Sequence, residues 1–182
     1  MEDVVASLDL TFAHAGAVIA GVRPEHLDAG TPCAEWSVRE LLEHMIGVVD
    51  GIGHAVAGDE ASAFTLGDDP AAQLAASSTA SMAAWRSPGV LDRMIDSRPG
   101  PMPGRMLAGI NLLDTAAHTW DLAVATGQPP ELPGPVAVAA LEASEQIVTA
   151  ELRPGRFDPE QAVPEGASPT DRLTAFLGRP LA

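Results

Sequence analysis

Lysine is missing from this sequence altogether. All ten cationic residues are arginine, set against 25 Asp and Glu, for a formal net charge of −15 over 182 residues. A surface this acidic repels the phosphates of nucleic acid and the anionic face of a membrane, so neither is expected as a partner. The acidity itself reads as solubility. Cysteine occurs once, at Cys33, which rules out an internal disulfide and a Cys-based metal site and suits a reducing compartment. No uninterrupted apolar run approaches the ~20 residues of a membrane span. The opening MEDVVASLDL places acidic residues where a secretory signal carries positive ones. A soluble cytoplasmic protein is expected. A Gly-rich phosphate loop and a G-x-S-x-G elbow are also absent.

What the sequence does contain is helical period. Val5, Leu8, Phe12, Ala15 and Ile19 mark a first helix over Glu2 to Val22. A loop punctuated by Pro24, Gly30 and Pro32 leads to Ser37 and Glu40, a capping box that opens a second helix to about Ala57. A third helix is expected over Pro70 to Arg86. The stretch SPGVLDRMIDSRPGPMPG, with four prolines, breaks the period and reads as a short extended piece around Val90 to Asp96. A fourth helix runs from Gly104 to the Thr126-Gly127 stop. A fifth covers about Pro135 to Leu152, and residues 153–182 form a Pro-rich tail with a short helix, Pro169 to Leu177, capped by Ser168. The expectation is an all-α protein in one domain, 1–182, with bundle helices over 1–152.

On the second helix Arg39, Glu43, Asp50 and His54 share one side, expected to be wet. Leu41, Met45, Val48, Ile52 and Ala55 share the other, and His44 falls among them. His14 and His26 read as surface or loop residues. The fourth helix is stranger. From Met106 to Gly127 it has no Glu, Gln, Lys or Arg, the long polar side chains that exposed helices use. Its polar groups are short: Asn111, Asp114, His118 and Asp121, on adjacent turns of one side at about 100° per residue. That row is either a plain solvent face or a ligand-bearing stripe turned inward. In the second case a buried carboxylate needs a partner, and a divalent metal supplies one. Asp114 and His118 at i, i+4 can reach one ion, and His44 from a facing helix completes a three-ligand site with open positions. Two His and one carboxylate suit catalytic zinc or non-haem iron. Asp121 is placed to orient His118. Cys33, with no cation among its chain neighbours, reads as a small buried residue. Trp36 and Trp120 read as packing anchors, and Arg172 and Arg179 as ties between the tail and the acidic body.

Three stretches carry a resemblance: TPCAEWSVRELLEHMIG, LLDTAAHTWDLAVATGQP and ASPTDRLTAFLGRP. Together they resemble the actinobacterial metal-binding proteins related to the N-terminal domain of mycothiol-dependent maleylpyruvate isomerase, within the DinB/YfiT-like superfamily. The likeness runs from the first helix to the tail. It implies an up-down-down-up four-helix bundle, here with an additional C-terminal helix, holding a divalent metal that is often zinc or nickel. The family's ligands, a His on the second helix and a Glu-x-x-x-His pair on a later one, fall on His44, Asp114 and His118. Asp114 departs from the pattern. It is one methylene shorter than Glu, so the ion must sit nearer the helix or be reached through water.

The resemblance also implies chemistry in which the metal lowers the pKa of a bound thiol or water. In the isomerase an additional C-terminal domain shapes the substrate site, so a site formed without that domain is expected here. The first functional reading is thus a metal-dependent, mycothiol-type transferase or isomerase acting on a small molecule. Two others stand beside it. One is a non-catalytic binding or regulatory module, for which a homodimer is a working form. The other is a metal-independent pocket enzyme in a biosynthetic pathway.

Overall fold

The computed structural model describes residues 4–33, 36–60, 63–98 and 100–180. Six helices follow one another: α1 (Val4–Ala20), α2 (Val38–Ala57), α3 (Pro70–Trp85), α4 (Gly104–Ala125), α5 (Gly134–Ile147) and α6 (Pro169–Phe176). The helix start expected at Glu2 lies outside the described residues. Capping chemistry sets most of the other starts. Ser37 accepts from the Glu40 amide while the Glu40 carboxylate accepts from Ser37 N at 2.8 Å. Ser168 and Asp171 repeat the arrangement at α6, and Asp69 caps α3 ahead of Pro70. Each cap satisfies amides that a helix start leaves without partners.

Helix directions follow from a few contacts. Ser77 on α3 donates to Asp50 on α2 at 3.0 Å, and Ser81, one turn later, packs on Gly53, so α2 and α3 run parallel. Arg86 beyond α3 pairs with Asp9 early in α1 at 2.9 Å, while Ala71 meets Ile19 and Ala20 around one hollow, so α1 and α3 are antiparallel. Arg93, just ahead of α4, donates to the Val56 carbonyl at the far end of α2, and His44 near the start of α2 meets Asp114 in mid-α4. Those two are antiparallel as well. The result is up, down, down, up. Two consecutive parallel helices need a return connection along the bundle, which the 58–69 segment provides.

Each of α1 and α2 packs on both α3 and α4, which closes a four-helix ring; α5 layers onto α4 and α1 outside it, and α6 packs on α5. Leu8, Phe12, Ala15 and Ile19 of α1 meet Leu41, Leu42, Met45, Ile46 and Val49 of α2 and Leu107, Leu112 and Ala116 of α4 in one continuous core. Among the described residues no helix is long and apolar enough to cross a membrane.

Two expectations about elements are corrected, and the extended piece around Val90 to Asp96 is borne out in detail. The extended piece is a minimal ribbon, β1 (Met94–Ile95) pairing antiparallel with β2 (Met102–Pro103), while Val90–Asp92 forms a single 3-10 turn. Gly104 starts α4 directly beneath that turn, where a Cβ would overlap the Val90 carbonyl oxygen. α5 ends at Ile147, five residues short of Leu152. The β-branched run Ile147-Val148-Thr149 weakens helix continuation, and the Thr149 hydroxyl turns back to accept from Leu152 N. Finally, α2 buries Leu42, Ile46, Val49, Gly53 and Val56 together with Leu41 and Met45, while Val48, Ile52 and Ala55 are half-buried. The apolar stripe is rotated because α2 is covered by α3 as well as α4.

Candidate metal centre

α4 is buried along most of its length. Leu107, Ala108, Leu112, Ala116, Leu122 and Ala123 are essentially inaccessible, and so are Asn111, Thr115 and Asp121. The missing long polar side chains are thus explained by the helix's central place. The polar row faces inward and is not a plain solvent face.

The row meets His44 across the α2–α4 seam. His44 Nε2 lies 3.1 Å from Asp114 Oδ1, and His118 Nε2 lies 3.7 Å from the same oxygen. The two imidazoles stand edge to face with centroids 5.0 Å apart. One ligand atom from each of His44, Asp114 and His118 falls within 4.8 Å of the other two. Tetrahedral ligands at about 2.1 Å from zinc are separated by about 3.4 Å, so small side-chain adjustments bring the set onto one ion. Exposure decreases from α2 inward: 31% for the His44 side chain, 20% for Asp114, 11% for His118 and zero for Asp121. The centre therefore opens on the His44 side. Asp114 Oδ2 is buried with no hydrogen-bond partner. Burial pushes the Asp114 carboxyl up, but the neighbouring His118 and the hydrogen bond to His44 pull harder, and its pKa falls below the usual value.

Behind His118 stands a second layer. His118 Nδ1 is 3.0 Å from Asp121 Oδ2, and Arg179 grips Asp121 with Nε on Oδ1 and Nη2 on Oδ2, both at 2.7 Å. Burial again works against the Asp121 charge, and Arg179 with His118 overcomes it, so its pKa is also lowered. An ionised carboxylate only accepts hydrogen bonds, so Nδ1 carries the proton and donates. The tautomer with its proton on Nδ1 turns Nε2 toward Asp114. That is the tautomer a metal-binding histidine needs.

Trp36 walls the open side, its ring 4.4 Å from His44 and 5.6 Å from His118. Its backbone is held by Thr31, whose hydroxyl donates to the Trp36 and Cys33 carbonyls. Trp36 also packs against the hydrophobic core, as expected of an anchor, and Trp120 is buried. Cys33 is half-buried, and the Arg179 charge acts on it. Its expected place as a small buried residue is met only in part. Arg172 is exposed on α6 and Arg179 alone makes the tie to Asp121. His54 is half-exposed, 3.8 Å from Asp50. His14 is half-buried on α1, which lowers its pKa, and His26 accepts from the Arg23 amide in a loop turn.

Two features were read from the sequence only in part: the side that Trp36 faces and the carboxylate that Arg179 ties to were not. Trp36 precedes α2 in an irregular loop, where no period says which way it turns. Arg179 is 58 residues from Asp121; its signal is the Gly178 that precedes it, a helix stop that redirects the chain.

The bundle brings His44, Asp114 and His118 into a cluster that could hold a metal ion. Residues 9–123 match the family described as the mycothiol maleylpyruvate isomerase N-terminal domain, and the chain belongs to that family. It is similar to the uncharacterized protein Rv0738 of Mycobacterium tuberculosis strain H37Rv, with 36% identity over 166 residues, 90% of each chain. The same figures hold for an uncharacterized protein of strain CDC 1551. Among solved structures it is similar to the mycothiol-dependent maleylpyruvate isomerase, with 15% identity and a TM-score of 0.48 over 77% of this chain and 67% of that one.

Proposed function

We propose that this protein binds a divalent metal through His44, Asp114 and His118, with Asp121 orienting His118, and acts as a mycothiol-type, thiol-dependent transferase or isomerase on a small molecule. The observation that carries the metal reading is Asp114. Its Oδ1 is approached by two histidine Nε2 atoms while its buried Oδ2 has no partner. An orphaned carboxylate oxygen is costly in an interior. A cation shared by the three side chains would replace the His44–Asp114 hydrogen bond with ligand bonds and give the buried carboxylate a charge partner. Zinc suits two imidazoles and one carboxylate, and nickel or iron accept the same donors.

The thiol reading rests on family membership. A bound divalent ion supplies Lewis-acid chemistry that favours the thiolate form of a thiol near neutral pH. The chain's own residues do the rest. Asp121 fixes the His118 tautomer and ring plane, Asp114 and His44 set the remaining donor directions, and Trp36 limits water on the open side while leaving a flat apolar wall for a substrate.

The test is elemental analysis of protein purified without chelator or metal-affinity resin, followed by supply of zinc, nickel, iron and manganese. Stoichiometric metal is expected. Protein that stays metal-free under all four rules the mechanism out and moves the metal-independent reading ahead. With metal present, mycothiol should perturb the visible spectrum of the cobalt-substituted protein. A cobalt spectrum indifferent to mycothiol and to other small thiols leaves the binding-module reading in front.

A further inference from the structure

α6 ends in a specific turn. The Gly178 amide donates to the Ala175 carbonyl at 3.0 Å and the Arg179 amide to the Thr174 carbonyl at 2.9 Å. This is the paired pattern of a Schellman stop, with Gly178 in the left-handed region at φ 83°. A side chain at 178 is doubly disfavoured, since a Cβ there would also overlap the Asp158 carbonyl oxygen. The segment is anchored from outside as well. Thr170 Oγ1 accepts from Leu132 N at 3.1 Å, and Arg153 donates to the Phe176 and Asp158 carbonyls at 3.0 and 2.8 Å. The stop turns the chain inward and delivers Arg179, its side chain 11% exposed, onto both oxygens of a fully buried Asp121.

We propose that Arg179 is a positioning residue of the metal centre and that metal loading and docking of the 168–180 segment strengthen each other. This rests on the metal reading above. The reasoning is one of linkage. Asp121 touches His118 on one side and Arg179 on the other, so its carboxylate plane is shared by the two groups. With Arg179 in place, Asp121 is locked in the orientation that holds the Nδ1 proton. Without it, Asp121 is a buried carboxylate short of partners, free to rotate away, and His118 loses its orientation. Outer partners of metal-binding histidines commonly change affinity 10–100-fold. Reciprocity then requires that metal binding favour the docked tail by the same factor.

The test compares wild type, Arg179→Met, Arg179→Lys and Gly178→Ala. Zinc affinity is read by chelator competition, and hydrogen exchange over 168–180 is followed with and without zinc. Arg179→Met and Gly178→Ala should bind zinc at least tenfold more weakly, with Arg179→Lys between them and wild type. Zinc should slow exchange of 168–180 in wild type and not in Arg179→Met. Gly178→Ala leaves every polar partner present, so it reports on delivery of Arg179 even if Arg179→Met fails to fold. Variants that melt earlier yet bind zinc as tightly as wild type would make Arg179 a purely structural tie and overturn the proposal while the metal reading stands. Wild type that binds no zinc overturns both.

Discussion

Two helices of this protein carry an aspartate followed four residues later by a histidine. Asp50 and His54 on α2 lie 3.8 Å apart, and Asp114 and His118 on α4 lie 3.7 Å apart. Locally the pairs are almost interchangeable, yet only the second takes part in a constellation. The α2 pair is 26% and 40% exposed, its third neighbour is the Ser77 hydroxyl, and among the described residues no second carboxylate pairs with the histidine. The α4 pair gains His44 from across the seam, Asp121 behind His118, and Arg179 behind Asp121. Spacing on a helix brings two donors to one side. A centre needs a third donor from another element and something that fixes the first two.

The sharpest way to break the comparison is to remove each histidine. His118→Ala should abolish stoichiometric metal while circular dichroism still reports a helical bundle, because the fold rests on the apolar stripes, each fully buried Leu or Ile contributing about 1.5–3 kcal/mol. His54→Ala should leave metal content unchanged. Equal losses from the two would dissolve the distinction.

The aspartates should separate next, in stability. Asp121→Ala leaves the Arg179 charge buried without its partner and should lower unfolding free energy by about 3–5 kcal/mol in urea titrations. Asp50→Ala removes one hydroxyl contact and one half-exposed neighbour, a loss of about 1 kcal/mol.

Asp114→Glu sharpens the comparison in the other direction. The longer carboxylate restores the residue that the resembling family carries at this position, so zinc affinity by chelator competition should stay the same or increase. Asp114→Ala should lower it. The smallest effect is optical. With Trp36 against both histidines, zinc should shift tryptophan emission slightly, and Trp36→Phe should remove that response while Trp85 and Trp120 still emit.

Much of this centre could be read before its geometry was seen, and the reasons are local. The absence of long polar side chains over 106–127 marks α4 as interior, and helical pitch then aligns Asn111, Asp114, His118 and Asp121. Capping pairs three residues apart fix the starts of α2 and α6 for the same reason. Where the reading failed, distant partners decided. The stripe on α2 is rotated by contact with α3; the end of α5 is a local exception, where the Thr149 hydroxyl accepts from Leu152 N. Arg179 reaches Asp121 only through a turn whose direction depends on what α6 packs against. Asn111 shows the limit from another side. Its burial and its two unpartnered amide atoms, like the unpartnered Thr115 hydroxyl, follow from its neighbours and not from its own row.

The 58 residues between Asp121 and Arg179 also impose an order in time. A ribosome adding about 5–20 residues per second finishes α4 roughly 3–12 s before it makes the arginine that neutralises Asp121. During that interval the nascent helix carries a carboxylate without the guanidinium that partners it in the folded protein. The histidines and Asp114 are all synthesised by then, but the lock behind them is not. Maturation of the centre is thus a late event in the birth of the molecule, timed by the arrival of a single guanidinium.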